Sequence, residues 1–165
     1  MKKPLQTVMI VDDMAVNLSL IASILSDYYQ VKVAKSGASA LSLINQDSPD
    51  IILLDIVMPD MDGYDVCIEL KSQLLTHAIP IIFVTTKNSI QDTRHGLTLG
   101  AVDFINKPIN PALTLARVQT HLELKQLKEW SEQNQKHAIT HDNTANILSA
   151  EELEFINQTF LSNPE

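Results

Sequence analysis

The chain is poor in the residues that announce disulfide frameworks, nucleotide loops or membrane spans. Its single cysteine, Cys67, has no second thiol with which to form an internal disulfide, and it reads as a helix packing residue rather than a redox centre. Only four glycines occur, Gly37, Gly63, Gly96 and Gly100, and none forms a loop that could cradle a nucleotide phosphate. No apolar run approaches the ~18 residues of a membrane span. The opening Lys2-Lys3-Pro4 leads directly into a strand-like segment instead of a signal-peptide core, so the cytoplasm is the expected location. Basic residues are in deficit: 12 Lys and Arg stand against 20 Asp and Glu, a net charge of −8. That balance argues against a basic nucleic-acid face and suits a protein partner or a cationic ligand.

What is present is a patterned globular sequence. At 165 residues and 45% hydrophobic content the chain can bury one proper core, with about forty residues beyond an ordinary domain. Apolar, β-branched runs occur at Thr7–Val11, Ile51–Leu54 and Ile81–Val84, with an alternating Tyr29–Val33 and a shorter Ala101–Ile105. Helical spacing separates them. Met14, Leu18, Ile21 and Leu25 share one helical face, and Cys67, Leu70 and Leu74 repeat the pattern. Gly37 and Gly63 precede helices, Ser89 with Asp92 reads as a capping box, and Gly100 as a C-terminal stop. Asn110-Pro111 reads as an N-cap followed by proline at the first helical position. Five βα units of this kind imply an α/β fold, a five-stranded parallel sheet covered by helices on both faces and joined by right-handed crossovers.

Ligands of such sheets bind beyond the carboxyl ends of the strands. Strand one ends in Asp12-Asp13, strand three in Asp55, strand four in Thr85-Thr86 and strand five in Lys107-Pro108. Each has a plain alternative: Asp13 as a helix cap, Thr85 as a β-branched strand residue, Lys107 as a solvated lysine. Their convergence at one sheet end favours the functional reading. Three carboxylates within a few ångström repel one another and need a counter-cation. Oxygen-only donors fit Mg²⁺, so Asp12, Asp13 and Asp55 are assigned to the metal together with a backbone carbonyl at Val57. Lys107 can pair with Asp55 and neutralise phosphoryl oxygens, with the Thr85 hydroxyl donating to another. Asp55, held rigidly at the end of a buried strand, is best placed as the nucleophile that becomes an acyl phosphate.

These residues, Asp12-Asp13, Asp55 followed by IVMPDMDG, Thr85 closing IIFVT, and Lys107-Pro108 in GAVDFINKP, resemble the receiver domain of two-component response regulators over about residues 5–122. The resemblance implies a flavodoxin-like fold with strand order 2-1-3-4-5, for which a chemotaxis receiver is itself a standard example. It also implies Mg²⁺-dependent phosphotransfer to Asp55 from a histidine kinase or histidine phosphotransfer protein. Thr85 and Phe104, the aromatic three positions before the lysine, would form the switch, changing the face made by helix four, strand five and helix five toward a downstream protein effector. Two features depart from the family pattern. Thr86 stands where alanine is usual, beside the phosphoryl-binding residues, and Val57 and Lys87 offer no acid or amide to position a hydrolytic water, which predicts a long-lived phosphoryl state.

A magnesium-dependent phosphatase of the haloacid dehalogenase type would need an acid two residues after the nucleophile, where this chain has Val57, so metabolite turnover is not expected. A phosphorylation-independent receiver-fold scaffold is the alternative from another class, though such members usually lack an acid, the threonine or the lysine.

The receiver is assigned to residues 1–122, an extension of the fifth helix to 123–136, a linker to 137–147 and a helical tail to 148–165. Leu122, Leu124, Leu127 and Trp130 could form an apolar seam with a partner helix. Homodimerisation is expected through this extended helix or through the helix-four to helix-five face. His141 reads as a solvated linker histidine. In the tail, Ser149 and Glu152 make a capping box and Leu153, Ile156 and Phe160 one apolar stripe. The segment is similar to the receiver-binding peptide of the flagellar switch protein at Ile147-Leu148-Ser149 and Glu152-Leu153-Glu154, which suggests docking of 148–162 on the helix-four to helix-five face. No DNA-binding or enzymatic module is legible, so output through protein contacts is expected.

Overall fold

The apolar runs become the strands of one sheet. The computed structural model describes residues 5–86 and 90–135. Its elements alternate as β1 (Thr7–Val11), α1 (Ala15–Leu25), β2 (Gln30–Ala34), α2 (Gly37–Gln46), β3 (Ile51–Asp55), α3 (Gly63–Ser72), β4 (Ile81–Thr85), α4 (Ile90–Thr98) and β5 (Asp103–Asn106). A fifth helix, α5, runs over residues 111–135. All strand pairs are parallel, in the order β2-β1-β3-β4-β5. This is the flavodoxin-like arrangement.

Strand alternation sorts the core into two layers. Met9, Val11, Ile52, Leu54, Ile81 and Phe83 pack with Ala40 and Ile44 of α2 and Val66, Cys67 and Leu70 of α3. Val8, Ile10, Ile51, Leu53, Ile82, Val84 and Ile105 face the other way, onto Leu18, Ile21 and Leu25 of α1 and Val118 and Leu122 of α5. β3 and β4 are buried along their whole length, which is why they carry no polar residue before the last position of each.

Several local expectations shift. Met14 is not on the buried face of α1: it is the extended N-cap residue and is 54% exposed, because its N–H bonds the Asp12 carboxylate before the helix begins. Leu74 lies beyond the end of α3 and is exposed; the chain turns there as Thr76 Oγ1 donates to the Leu70 carbonyl and Lys71 Nζ to those of His77 and Ile79. β5 begins at Asp103, two residues later than expected, with Ala101 buried before it. The glycines Gly37 and Gly63 open their helices, capped by Ser36 and Asp62. Asn110 caps α5 as expected, its Oδ1 accepting from Leu113 N at 3.0 Å.

The chain divides into two compact units, Met1–Leu124 and Lys125–Glu165. The sheet lies in the first. In the second, residues 125–135 are helical, with a Lys125–Glu129 pair one turn apart at 3.8 Å. The Ser89 cap, Lys87, the end of the helix at 136, the linker with His141 and the tail 148–165 lie outside the described residues. Among the described residues no helix is long and apolar enough to cross a membrane.

Candidate functional site

Parity along the strands brings three charged side chains to one place. Positions 8, 10 and 12 of β1 and its end, 51, 53 and 55 of β3, and 105 and 107 of β5 and its end fall on the same side of the pleat. Val11 pairs with Leu54, so Asp12 and Asp55 leave neighbouring strands side by side. Lys107 Nζ reaches both, 2.8 Å from Asp12 Oδ2 and 2.7 Å from Asp55 Oδ2. The two acids are nearly closed to water, at 1% and 5% exposure, whereas Asp13 is exposed. One carboxylate oxygen from each of Asp12, Asp13 and Asp55 lies within 4.8 Å of the others. Three hard oxygen donors, two fixed at the floor and one at an open mouth, form a site that can take a small divalent cation while leaving coordination positions for water or a phosphate.

The electrostatics follow from burial and pairing. Burial raises the Asp55 carboxyl above its usual range, and the Lys107 hydrogen bond and charge offset only part of this. Burial pulls Lys107 down, but the hydrogen bonds and charges of Asp12 and Asp55 outweigh it, so the ammonium is held in its protonated form. One cation between two acids leaves the cluster with excess negative charge. A divalent cation bound there would complete the balance.

The backbone fixes the nucleophile candidate. Val57 N donates to Asp55 Oδ1 at 3.3 Å, which sets the Val57 peptide beside the carboxylate. Gly63 N donates to the Ile56 carbonyl, and a Cβ at Gly63 would stand 2.2 Å from the Asp55 carbonyl oxygen, so only glycine lets α3 start this close to the strand end. Thr85 is fully buried at the end of β4, and its carbonyl accepts from Lys107 N at 3.0 Å. Thr86 is exposed beside it. Phe104 is half-buried on the opposite layer, its ring 5.4 Å from that of Phe83 and packed against Gly96.

Sequence reasoning passed over Asn17, whose Nδ2 lies 3.0 and 2.9 Å from the two oxygens of Asp12. It also passed over an ion cluster in which Asp103 of β5 meets Arg117 and His121 of α5.

Residues 8–119 match the family model of the response regulator receiver domain. The chain is 43% identical over 123 residues to a Vibrio cholerae serotype O1 protein described as "Probable cyclic di-GMP phosphodiesterase", covering 74% of this chain and 28% of that protein. It is 40% identical over 119 residues to the response regulator PleD of Caulobacter vibrioides, covering 72% and 26%. The chain therefore corresponds to about a quarter of the length of these relatives. Among solved structures, a response regulator receiver domain protein from Methanospirillum hungatei superposes with a TM-score of 0.70 at 28% identity, over 75% of this chain and 98% of that one.

Proposed function

This chain belongs to the response regulator receiver family, and on that footing we propose that it accepts a phosphoryl group on Asp55 from a histidine kinase or histidine phosphotransfer protein. The observation that carries the reading is the Asp12–Lys107–Asp55 bridge beside exposed Asp13, an anion-hungry lysine and an acid cluster meeting at one strand end. Asp12, Asp13, Asp55 and the Val57 carbonyl would hold Mg²⁺, which supplies charge neutralisation for the phosphoryl oxygens. An Asp55 oxygen attacks phosphorus, the phosphorus–nitrogen bond of the donor phosphohistidine breaks, and its electron pair stays on the imidazole, which takes a proton. Lys107 then shares its charge with the transferred group, and the Thr85 hydroxyl donates to another of its oxygens.

In this reading residues 1–122 are the receiver, 123–136 a helical extension, 137–147 a linker and 148–165 a helical tail, in a cytoplasmic protein. Output passes through protein contacts of the α4–β5–α5 face, where Ile90 and Leu97 are 80% and 47% exposed around Arg94. The same face or the α5 extension serves homodimerisation. The phosphodiesterase named for the Vibrio relative is not carried over to this chain, and no metabolite turnover is expected.

Acetyl phosphate with Mg²⁺ should add one phosphoryl group by intact mass, abolished in Asp55→Asn and by a chelator. A folded wild type that gains nothing would make the chain a receiver-fold scaffold. Because exposed Val57 presents no acid or amide beside Asp55, the phosphoryl group should persist after donor removal; decay within seconds would refute that point.

A further inference from the structure

Asp12 is the most enclosed acid of the cluster and also the most heavily bonded. Its Oδ1 accepts from Met14 N at 2.9 Å and its Oδ2 from Lys107 Nζ at 2.8 Å. Asn17 Nδ2 sits astride both oxygens at 3.0 and 2.9 Å. Lys107 draws Asp12 toward Asp55, and Asn17 holds it from the side of α1. At 1% exposure, Asp12 has little access to water that could replace either donor.

We infer that Asn17 is a positioning residue for the divalent cation: its amide fixes the Asp12 carboxylate so that Asp12, Asp13 and Asp55 present their oxygens together. The inference rests on the metal site proposed above. The chemistry of the side chain suits the task. An amide donates to a carboxylate without adding charge, so it orients Asp12 while leaving the cluster's negative charge for the metal. A lysine or arginine there would compete with the cation. The placement also has a local cost. Asn17 occupies the first turn of α1, third after the Met14 cap, where asparagine is a poor helix former and its side chain does not serve as the helix cap. A local rule broken in contact with the site is what a positioning role predicts. Without the amide, Lys107 is the stronger remaining partner, and Asp12 closes toward it and away from Asp13.

The test is Mg²⁺ titration of the full unphosphorylated chain by calorimetry, for wild type, Asn17→Leu, which is near-isosteric and cannot donate, and Asn17→Ala. Supporting partners of metal ligands typically govern ~10–100-fold in metal affinity. Both variants should bind Mg²⁺ at least about tenfold more weakly, with unchanged circular dichroism. In the acetyl phosphate reaction the Mg²⁺ concentration for half-maximal rate should rise by a similar factor while the rate at saturating Mg²⁺ returns to near the wild-type value, a split that general loosening of the fold would not give. If Asn17→Leu misfolds, Asn17→Ala carries the comparison. Wild-type binding with unchanged or tighter binding in the variants would overturn the role of Asn17 and leave the metal site standing. Absence of Mg²⁺ binding in the wild type would overturn both.

Discussion

Removing the Lys107 ammonium would leave Asp12 and Asp55 facing each other almost without water. Deleting one partner of a buried ionic network costs about 3 kcal/mol or more, chiefly because the remaining charge is stranded. Lys107→Met should therefore lose roughly that much stability, read by urea denaturation in the presence of a chelator. Here the stranded groups are also the proposed metal donors, so added Mg²⁺ should recover a large part of the loss by binding only the folded form. Equal losses with and without Mg²⁺ would contradict the assignment of the acid cluster to the metal. The wild type should respond less to Mg²⁺, because Lys107 already balances part of the charge.

At the scale of elements, two contacts decide how α4 and α5 are held against β5. A Cβ at Gly96 would stand 2.5 Å from Phe104 Cζ and 2.9 Å from Phe83 Cε2, so α4 rests directly on the aromatic pair. Gly96→Ala should destabilise by about 1–3 kcal/mol through overpacking, and Phe104→Leu in the same chain should relieve part of that. A fully additive double-mutant cycle would show that the two residues do not share the space. On the other side, Asp103 accepts from Phe104 N at 2.7 Å and meets Arg117 and His121 of α5. Burial raises the Asp103 carboxyl, but the bonds from Phe104 N, His121 and Arg117 prevail and hold it below its ordinary value. The folded protein thus binds this proton less readily than the unfolded chain. The resulting stabilisation, about 1 kcal/mol, is complete above the unfolded value of ~3.9 and vanishes as pH falls through the folded one. The stability gap between wild type and Asp103→Asn should shrink as pH falls below about 4; a gap that widens there would be the wrong sign. Neither contact was legible in the sequence. Strands and their terminal Asp12, Asp55, Thr85 and Lys107 could be read because apolar runs end on polar residues in one order. Asn17, Asp103 and Gly96 act across elements, and a contact of that kind leaves no period in the chain. Met14 and Leu74 misled for a related reason: spacing shows a face but not where the helix starts or stops.

For the whole molecule, the question is how a charge placed at one end of the sheet could alter a surface elsewhere. Burial is distributed unevenly enough to suggest the route. α1, α2 and α3 each sink three or four residues into the core, whereas α4 buries only Gly96 and leaves Ile90 and Leu97 outside. A helix held mainly by a glycine against a pair of rings can shift at lower cost than its neighbours, since few apolar contacts are lost when it moves. Thr85 and Phe104 both belong to the strands under α4, and Phe83, two residues before Thr85 on β4, pairs directly with Phe104 in the ladder. A phosphoryl group that draws the Thr85 hydroxyl toward Asp55 would open space beneath α4 for the Phe104 ring, so the element easiest to displace is the one the site can reach. Amide hydrogen exchange should accordingly find α4 the least protected of the four helices α1 to α4 in the unmodified protein. Protection of α4 and β5 should change on Asp55 phosphorylation while that of α1 and α2 stays nearly constant. Uniform change across the sheet would point to global stabilisation by ligand, and no change at α4 would break the proposed link between the acid cluster and the output face.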